Sequence, residues 1–241
     1  MAGIQITEYS GTADSGSMTF SQQSEPNSPL TLEQVAEAVR QEWLITPDKF
    51  SGNLSPKDPD YSWHVGYANS YSRFKYAVAR VLQPKSILEI GVRCGLAALA
   101  FLDACPNAEY YGIDSSDGEL VQIGLKAIRE KNPSAHFTHK DSQQIDSFSE
   151  VDLIHIDGCH EHPSVAHDVI LAIQSRSPWI LCDDANDSKV MAGIFQALTV
   201  FPLRETARTP EGAIFSSMPV CYWRHFSEAG TGNLLIRNPL E

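Results

Sequence analysis

The chain has 241 residues, with 18 lysines and arginines against 30 aspartates and glutamates and a formal net charge of −12. This charge disfavours nucleic acid and anionic membranes as partners, because both present negatively charged surfaces. The five cysteines lack CxxC spacing, no apolar run approaches the roughly 18 residues of a membrane span, and no basic–apolar leader opens the sequence, so we expect a cytoplasmic protein.

Two regions precede the first strand. Residues 1–29 are rich in Ser, Thr, Gly and Gln, which predicts a flexible N-terminal tail. Residues 30–65 are expected to form a helical and loop cap, in which Thr31 caps a helix and Gln34 occupies the capping-box position. Apolar residues at helical spacing predict a second helix over 67–82.

Strand-type and helix-type patterns then alternate over residues 66–228, which we interpret as the catalytic domain, followed by a C-terminal tail at 229–241. The first predicted strand contains Ile87, Leu88 and Ile90, and the second is an apolar run that ends in Asp114. Further strands are predicted within 136–142, 151–158 and 178–184, with closing, partly antiparallel strands around 203–208, 213–218 and 221–226. Helices are predicted after the first strand and over 117–130, 163–173 and 190–200. This alternation predicts an α/β fold with a doubly wound, mostly parallel sheet.

The stretch around the first two strands has the order strand, glycine turn, helix, strand, acid. The turn contains Gly91 and Gly95, and Asp114 ends the second strand. Glycine lets the backbone approach a ligand, and an acid about 20 residues further on suits the hydroxyls of a ribose. The pattern therefore predicts a site for an adenosine-containing cofactor. Glu89 lies inside the first apolar strand and needs hydrogen-bond donors there, either from the cofactor or from the turn.

Acids end all five central strands, at Glu89, Asp114, Asp141, Asp157 and the Asp183–Asp184 pair. The carboxyl edge of such a sheet is where ligands bind. Asp141 and Ser142 are expected near a purine edge, with a role for Asp141 as a cap for the residues that follow as the alternative.

Asp157, Asp183 and Asp184 would repel one another at one sheet edge unless a cation lies between them. Hard oxygen ligands of this kind favour Mg²⁺, Ca²⁺ or Mn²⁺. The alternative is that Asp184 or Asp187 caps the helix that follows.

The run HIDGCHEHPSVAH contains four histidines but no zinc spacing. His155 lies inside a strand and is expected to pack in the core. His160 follows Asp157 by three residues and is the candidate general base, with a structural role as the alternative.

These motifs resemble those of a known family. LEIGVRCG and YYGIDSS are similar to the first two motifs of class I S-adenosylmethionine-dependent methyltransferases. DLIHIDGCHEHPSVAHDV and WILCDDAND resemble segments of metal-dependent catechol, caffeoyl-coenzyme A and antibiotic-sugar O-methyltransferases. The resemblance covers about residues 65–200 and implies a seven-stranded Rossmann-like methyltransferase fold.

The resemblance also implies roles for individual residues. Cofactor-binding residues would be Glu89, Gly91, Gly95, Asp114, Ser115, Asp141, Ser142 and Asp157. The divalent metal would bind Asp157, Asp183 and Asp184, and His160 would be the base. Asp184 stands where the catechol-type enzymes usually have asparagine. In this respect the sequence resembles the sugar-modifying branch more closely.

The sequence thus predicts an O-methyltransferase that uses S-adenosylmethionine and Mg²⁺ or Mn²⁺ to methylate a hydroxyl of a small natural product or sugar. Alternatives are a metal-independent N- or C-methyltransferase, a non-methylating S-adenosylmethionine-binding enzyme and, more weakly, an NAD-dependent oxidoreductase. The aromatic residues Tyr61, Trp63, His64, Tyr67 and Tyr71 would form a lid or simply pack on the domain. By analogy, the N-terminal helices could pair two copies into a homodimer.

Overall fold

A computed structural model describes residues 31–47, 61–201, 223–227 and 231–240, without the side chains of 61–69. The predicted N-terminal tail and the closing strands around 203–208 and 213–218 lie outside these described residues, as do the side chains of most of the aromatic lid. Tyr71 is the lid residue whose side chain is described.

Six helices and seven strands occur in the described part of the chain. The helices are α1 (Leu32–Ile45), α2 (Tyr61–Leu82), α3 (Leu96–Ala104), α4 (Glu119–Lys131), α5 (His162–Gln174) and α6 (Ser188–Val200). The strands are β1 (Ser86–Ile90), β2 (Glu109–Asp114), β3 (His136–His139), β4 (Leu153–Ile156), β5 (Trp179–Cys182), β6 (Trp223–Phe226) and β7 (Asn233–Arg237). None of these helices combines the length and the apolarity that crossing a bilayer requires.

The strands form one sheet in the order β3-β2-β1-β4-β5-β7-β6. Strands β1 to β5 pair in parallel, whereas β7 runs antiparallel to both β5 and β6. This confirms the predicted seven-stranded, mostly parallel, doubly wound sheet. The strand order reverses between β1 and β4, which is the switch point where such sheets bind ligands.

Strand β7 corrects one prediction. Residues 229–241 were expected to be a tail, but Asn233–Arg237 form an inner strand whose Leu234, Leu235 and Ile236 are fully buried. The apolar stretch is short and lies beyond the regular alternation of strands and helices, so periodicity did not identify it. A buried strand between β5 and β6 explains why three consecutive apolar residues occur there.

Alternate residues of each strand enter two cores, one on each face of the sheet. Helices α1 to α4 cover one core, which includes Phe74, Phe101 and Leu125, and helices α5 and α6 cover the other, which includes Val169 and Ile194. Burial on both faces accounts for the nearly continuous apolar character of the parallel strands.

The N-terminal helices pack onto the first core. Thr31 forms the predicted capping box with Gln34, since each side chain bonds the other residue's backbone N–H. The Phe74 ring of α2 lies 6.1 Å from the Trp43 ring of α1 and 5.1 Å from that of Phe226 in β6. Helix α2 is therefore held between α1 and the sheet, with one end near the carboxyl edge.

Candidate functional site

A cavity of about 690 Å³ opens at the carboxyl ends of the parallel strands. Nine of the predicted site residues line it: Gly91, Asp114, Ser115, Asp141, Ser142, Asp157, His160, Asp183 and Asp184. Glu89 and Gly95 are predicted site residues that do not line it. The structure thus gathers most of the predicted residues around one space.

The glycine turn after β1 depends on Gly91. This residue has φ +87°, and a Cβ placed there would lie 2.1 Å from the Asp157 carbonyl oxygen. The end of β1 therefore touches the end of β4 at a distance that only glycine permits. Gly95 (φ +78°) begins α3 as its N-terminal cap residue, so its contribution is to the path of the backbone.

Asp114 organises the same turn. One carboxylate oxygen accepts hydrogen bonds from the backbone N–H groups of Val92 and Arg93, both at 2.9 Å, and the other accepts one from Ser116 at 2.8 Å. These bonds hold the acid at the cavity wall in a fixed orientation. Its contact with a ribose remains a prediction.

Glu89 lies in the core instead of the cavity. Its side chain is buried, accepts a hydrogen bond from Tyr110 and lies 3.3 Å from Nδ1 of His155. Burial raises the pKa of Glu89 well above its usual range, although the Tyr110 hydrogen bond and the charge of Lys75 oppose this. The geometry gives Glu89 a role in joining β1 to β2 through Tyr110, and no contact with the cavity.

His155 is a packed core residue, as predicted. The ring is fully buried against Phe101, and neither ring nitrogen makes a hydrogen bond. Burial, with the charge of Lys75, lowers the pKa of His155 to about 3. The imidazole is therefore neutral and takes no part in the exposed chemistry.

A single 3₁₀ turn, Ser142–Gln144, forms one wall of the cavity. Asp141 caps this turn by accepting from the Gln143 backbone N–H at 3.0 Å, and it also lines the cavity. The Ser142 hydroxyl donates to Asp168 at 3.1 Å. The cap role predicted as the alternative for Asp141 is confirmed, and it does not remove the residue from the cavity.

Asp168 supports the cavity wall from behind, and the sequence analysis gave it no role. It lies on α5 with 1% exposure and holds the turn through Ser142 and Gln143. Burial raises the pKa of Asp168 to about 6. An acid between the apolar positions Val165 and Val169 of one helix was the available signal.

The predicted base meets two of the predicted metal ligands. Nε2 of His160 lies 3.0 Å from an Asp184 oxygen and 3.8 Å from an Asp157 oxygen. Hydrogen bonds to Asp157 and Asp184 raise the pKa of His160 to about 10, and burial together with the charge of Asp183 raises that of Asp157 to about 6. Asp187 caps α6, so Asp184 is not the cap and faces the cavity.

The third predicted ligand, Asp183, has different partners. One oxygen lies 3.2 Å from Nζ of Lys75, and the other accepts a hydrogen bond from Thr231 at 2.9 Å. Among the described residues, Asp157 belongs to two groups with metal-binding spacing, one with His160 and Asp184 and one with His155 and Asp183. The structure therefore divides the predicted triad into an outer and an inner group.

The outer group fits a hard divalent cation. Asp157 and Asp184 offer carboxylate oxygens within 4.8 Å of each other and of His160, at the cavity surface. Burial and the neighbouring charge of Asp183 both disfavour ionisation of Asp157, and a bound cation would offset both effects. The inner group already has a positive charge, the ammonium of Lys75.

Comparison of the sequence with known proteins finds one family match. A family model described as a methyltransferase domain matches residues 88–185, from β1 to just beyond β5. No curated protein sequence matches the chain.

Two solved methyltransferase structures are among those to which the chain is similar. SAH-bound Podospora anserina methyltransferase PaMTH1 is 18% identical, with a TM-score of 0.48 over 83% of this chain and 87% of that one. The O-methyltransferase from Bacillus cereus in complex with SAH is 14% identical, with a TM-score of 0.48 over 84% of this chain and 90% of that one.

Proposed function

We propose that the protein, whose residues 88–185 match a family model described as a methyltransferase domain, uses S-adenosylmethionine and a divalent cation to methylate a hydroxyl oxygen of a small natural product or sugar. The observation that carries this proposal is the meeting of His160 with Asp157 and Asp184 at the cavity surface. A base and two hard oxygen ligands in one place suit the activation of a hydroxyl group.

The cofactor would occupy the cavity between the glycine turn and the 3₁₀ turn. Asp114 and Ser115 would bind the ribose, Asp141 and Ser142 would lie at the adenine, and the turn at Gly91 would receive the methionine part. All five residues line the cavity, which supports this arrangement. The methyl group would then point towards the edge that carries Asp157.

The acceptor would bind at this acidic edge. Mg²⁺ or Mn²⁺ held by Asp157 and Asp184 would act as a Lewis acid that lowers the pKa of the acceptor hydroxyl. Nε2 of His160 would take the hydroxyl proton as the oxygen attacks the methyl carbon. The carbon–sulfur bond breaks with its electron pair on sulfur, which leaves S-adenosylhomocysteine.

The proton balance of His160 links the base to the cation. With both carboxylates uncompensated, His160 has a pKa of about 10 and holds its proton at neutral pH. Offsetting the charge of Asp157 and Asp184 lowers that pKa and frees the nitrogen to act as a base. A cation held by Asp157 and Asp184 would supply this compensation.

A metal-independent transfer to nitrogen or carbon is the second candidate. Lys75 favours it, because its ammonium already neutralises one carboxylate of the edge. The two candidates differ in their response to chelation and in the acceptor atom that carries the methyl group.

The experiment follows methyl transfer from labelled S-adenosylmethionine to a panel of catechols, sugars and amines, with S-adenosylhomocysteine and methylated product measured together. Chelator should abolish transfer and Mg²⁺ or Mn²⁺ should restore it. His160→Gln should lower kcat by about 10²- to 10⁴-fold, the usual contribution of a general base. Asp187→Asn is the matched control, because asparagine also caps helices.

Full activity in chelator, or in Asp157→Ala, would exclude the metal role. Methylated amines without methylated hydroxyls would support the second candidate.

A further inference from the structure

Lys75 is a lysine in the interior of the protein, with a side-chain exposure of 0%. It belongs to α2, which precedes the segment matched by the methyltransferase family. Burying an ammonium group is costly unless it is paired and hydrogen-bonded. The groups that contact the ammonium therefore indicate the role of Lys75.

Three groups surround the ammonium. Nζ lies 3.2 Å from the Asp183 carboxylate and 4.4 Å from the centre of the Tyr71 ring, and it donates a hydrogen bond to Asn233 at the start of β7. A lysine ammonium has three N–H donors, so these groups can satisfy it. Helix α2, strand β5 and strand β7 meet at this one charge.

Asp183 is held on both sides. Lys75 contacts one oxygen and the Thr231 hydroxyl donates to the other, so the carboxylate is both oriented and neutralised. Asp184, the next residue, instead faces His160. Neighbouring acids thus point to different partners, one internal and one at the cavity surface.

Tyr71, one helical turn before Lys75, also contacts an acid at the end of a strand. Residues four apart lie on the same face of a helix, and the Tyr71 hydroxyl donates to Asp157 at 2.6 Å. One face of α2 therefore contacts the acids that follow β4 and β5. Tyr71, Asp157, Asp183 and Thr231 all line the cavity, whereas Lys75 lies behind them.

We propose that Lys75 is a positioning residue that neutralises Asp183 within the cavity wall, so that the acidic edge binds its cation through Asp157 and Asp184 instead of through three carboxylates. This rests on the proposed metal-assisted function. The inner group of His155, Asp157 and Asp183 has metal-binding spacing. In this group, however, the Lys75 ammonium supplies the positive charge that a metal ion would otherwise supply.

The test is Mn²⁺ titration at pH 8 into full-length wild type, Lys75→Met, Asp183→Asn and the double variant, followed by calorimetry. Lys75→Met frees a negative charge beside the site and should tighten Mn²⁺ binding about tenfold or more. Asp183→Asn leaves the ammonium uncompensated and should weaken binding by a similar factor. The double variant removes both charges and should bind within about threefold of wild type.

Two further variants sharpen the result. Lys75→Arg keeps the charge and should bind Mn²⁺ like wild type. The Lys131–Asp103 ion pair joins α4 to α3 outside the cavity, so Lys131→Met and Asp103→Asn should leave Mn²⁺ affinity unchanged. Equal loss of binding in Asp183→Asn and in the double variant would overturn the proposal, because Asp183 would then be a direct ligand.

Failure of the proposed function has a different signature. Wild type that binds no Mn²⁺ at all would refute the metal role itself, and with it the selection of ligands by Lys75. Thermal unfolding of the same variants still measures the interaction between Lys75 and Asp183 when no metal binds. A double variant more stable than either single variant supports neutralisation of Asp183, and one no more stable overturns it.

Discussion

Gly91→Ala should disrupt the contact between β1 and β4. The new Cβ would lie 2.1 Å from the Asp157 carbonyl oxygen and 2.9 Å from Cα of Gly158, both backbone atoms that cannot rotate away. The left-handed backbone conformation costs alanine about 1–2 kcal/mol, and forcing the strands apart adds about 1–3 kcal/mol. The free energy of unfolding should therefore fall by about 2–5 kcal/mol.

For a chain of this size, each kcal/mol shifts Tm by about 2–4 °C, so a loss of roughly 4–20 °C is expected. Differential scanning fluorimetry measures it, and calorimetry with S-adenosylhomocysteine measures the accompanying loss of affinity. Gly118→Ala is the control, because Gly118 has φ −62° and its Cβ would meet the Ser116 hydroxyl at 3.1 Å, which can move. A Gly91→Ala protein with wild-type Tm and affinity would refute the reasoning.

The remaining predictions concern two acids. Asp114→Asn replaces a carboxylate that accepts hydrogen bonds from three backbone N–H groups by an amide. The free energy of unfolding should fall by about 1–3 kcal/mol, and S-adenosylhomocysteine binding should weaken. Asp117→Asn is the control and should change neither, because the Asp117 side chain is 76% exposed. Asp168 has a folded-state pKa of about 6 against an ordinary 3.8, so the folded state holds its proton longer and stability should fall as pH rises from about 4 to 6, by roughly 3 kcal/mol. Measured by urea unfolding, the stability of Asp168→Asn should not show this decrease between about pH 4 and 6. A variant whose stability depends on pH as that of the wild type does would contradict the raised pKa of Asp168.

The parallel part of the fold was predictable because each strand is an apolar run that ends in an acid. Strands buried on both faces have this pattern, and the carboxyl edge collects their polar ends. Asp114, Asp157, His160 and Asp184 therefore appear together in the sequence analysis and in the cavity. Their roles in binding and catalysis remain predictions, as do the homodimer and the cytoplasmic location.

Other features depend on contacts between distant segments. Lys75 occupies a helix face next to Tyr71 and Phe74, but only the folded chain places Asp183 and Asn233 beside it. Glu89 was expected at the cofactor or the glycine turn because a carboxylate inside an apolar strand needs hydrogen-bond donors, and Tyr110 of the neighbouring strand is the donor that the fold provides. Periodicity identifies which face is buried and cannot identify the partner across it.

Strand β7 has a consequence for how the protein must be produced. Thr231 and Asn233, which hold Asp183 and Lys75, are made after the other strands of the described part of the chain. Until they are made, β5 exposes an unpaired edge of the kind that recruits other chains. A recombinant fragment cut to residues 88–185 would also lack α2, so it would carry Asp183 without its ammonium, its hydroxyl donor or its neighbouring strand.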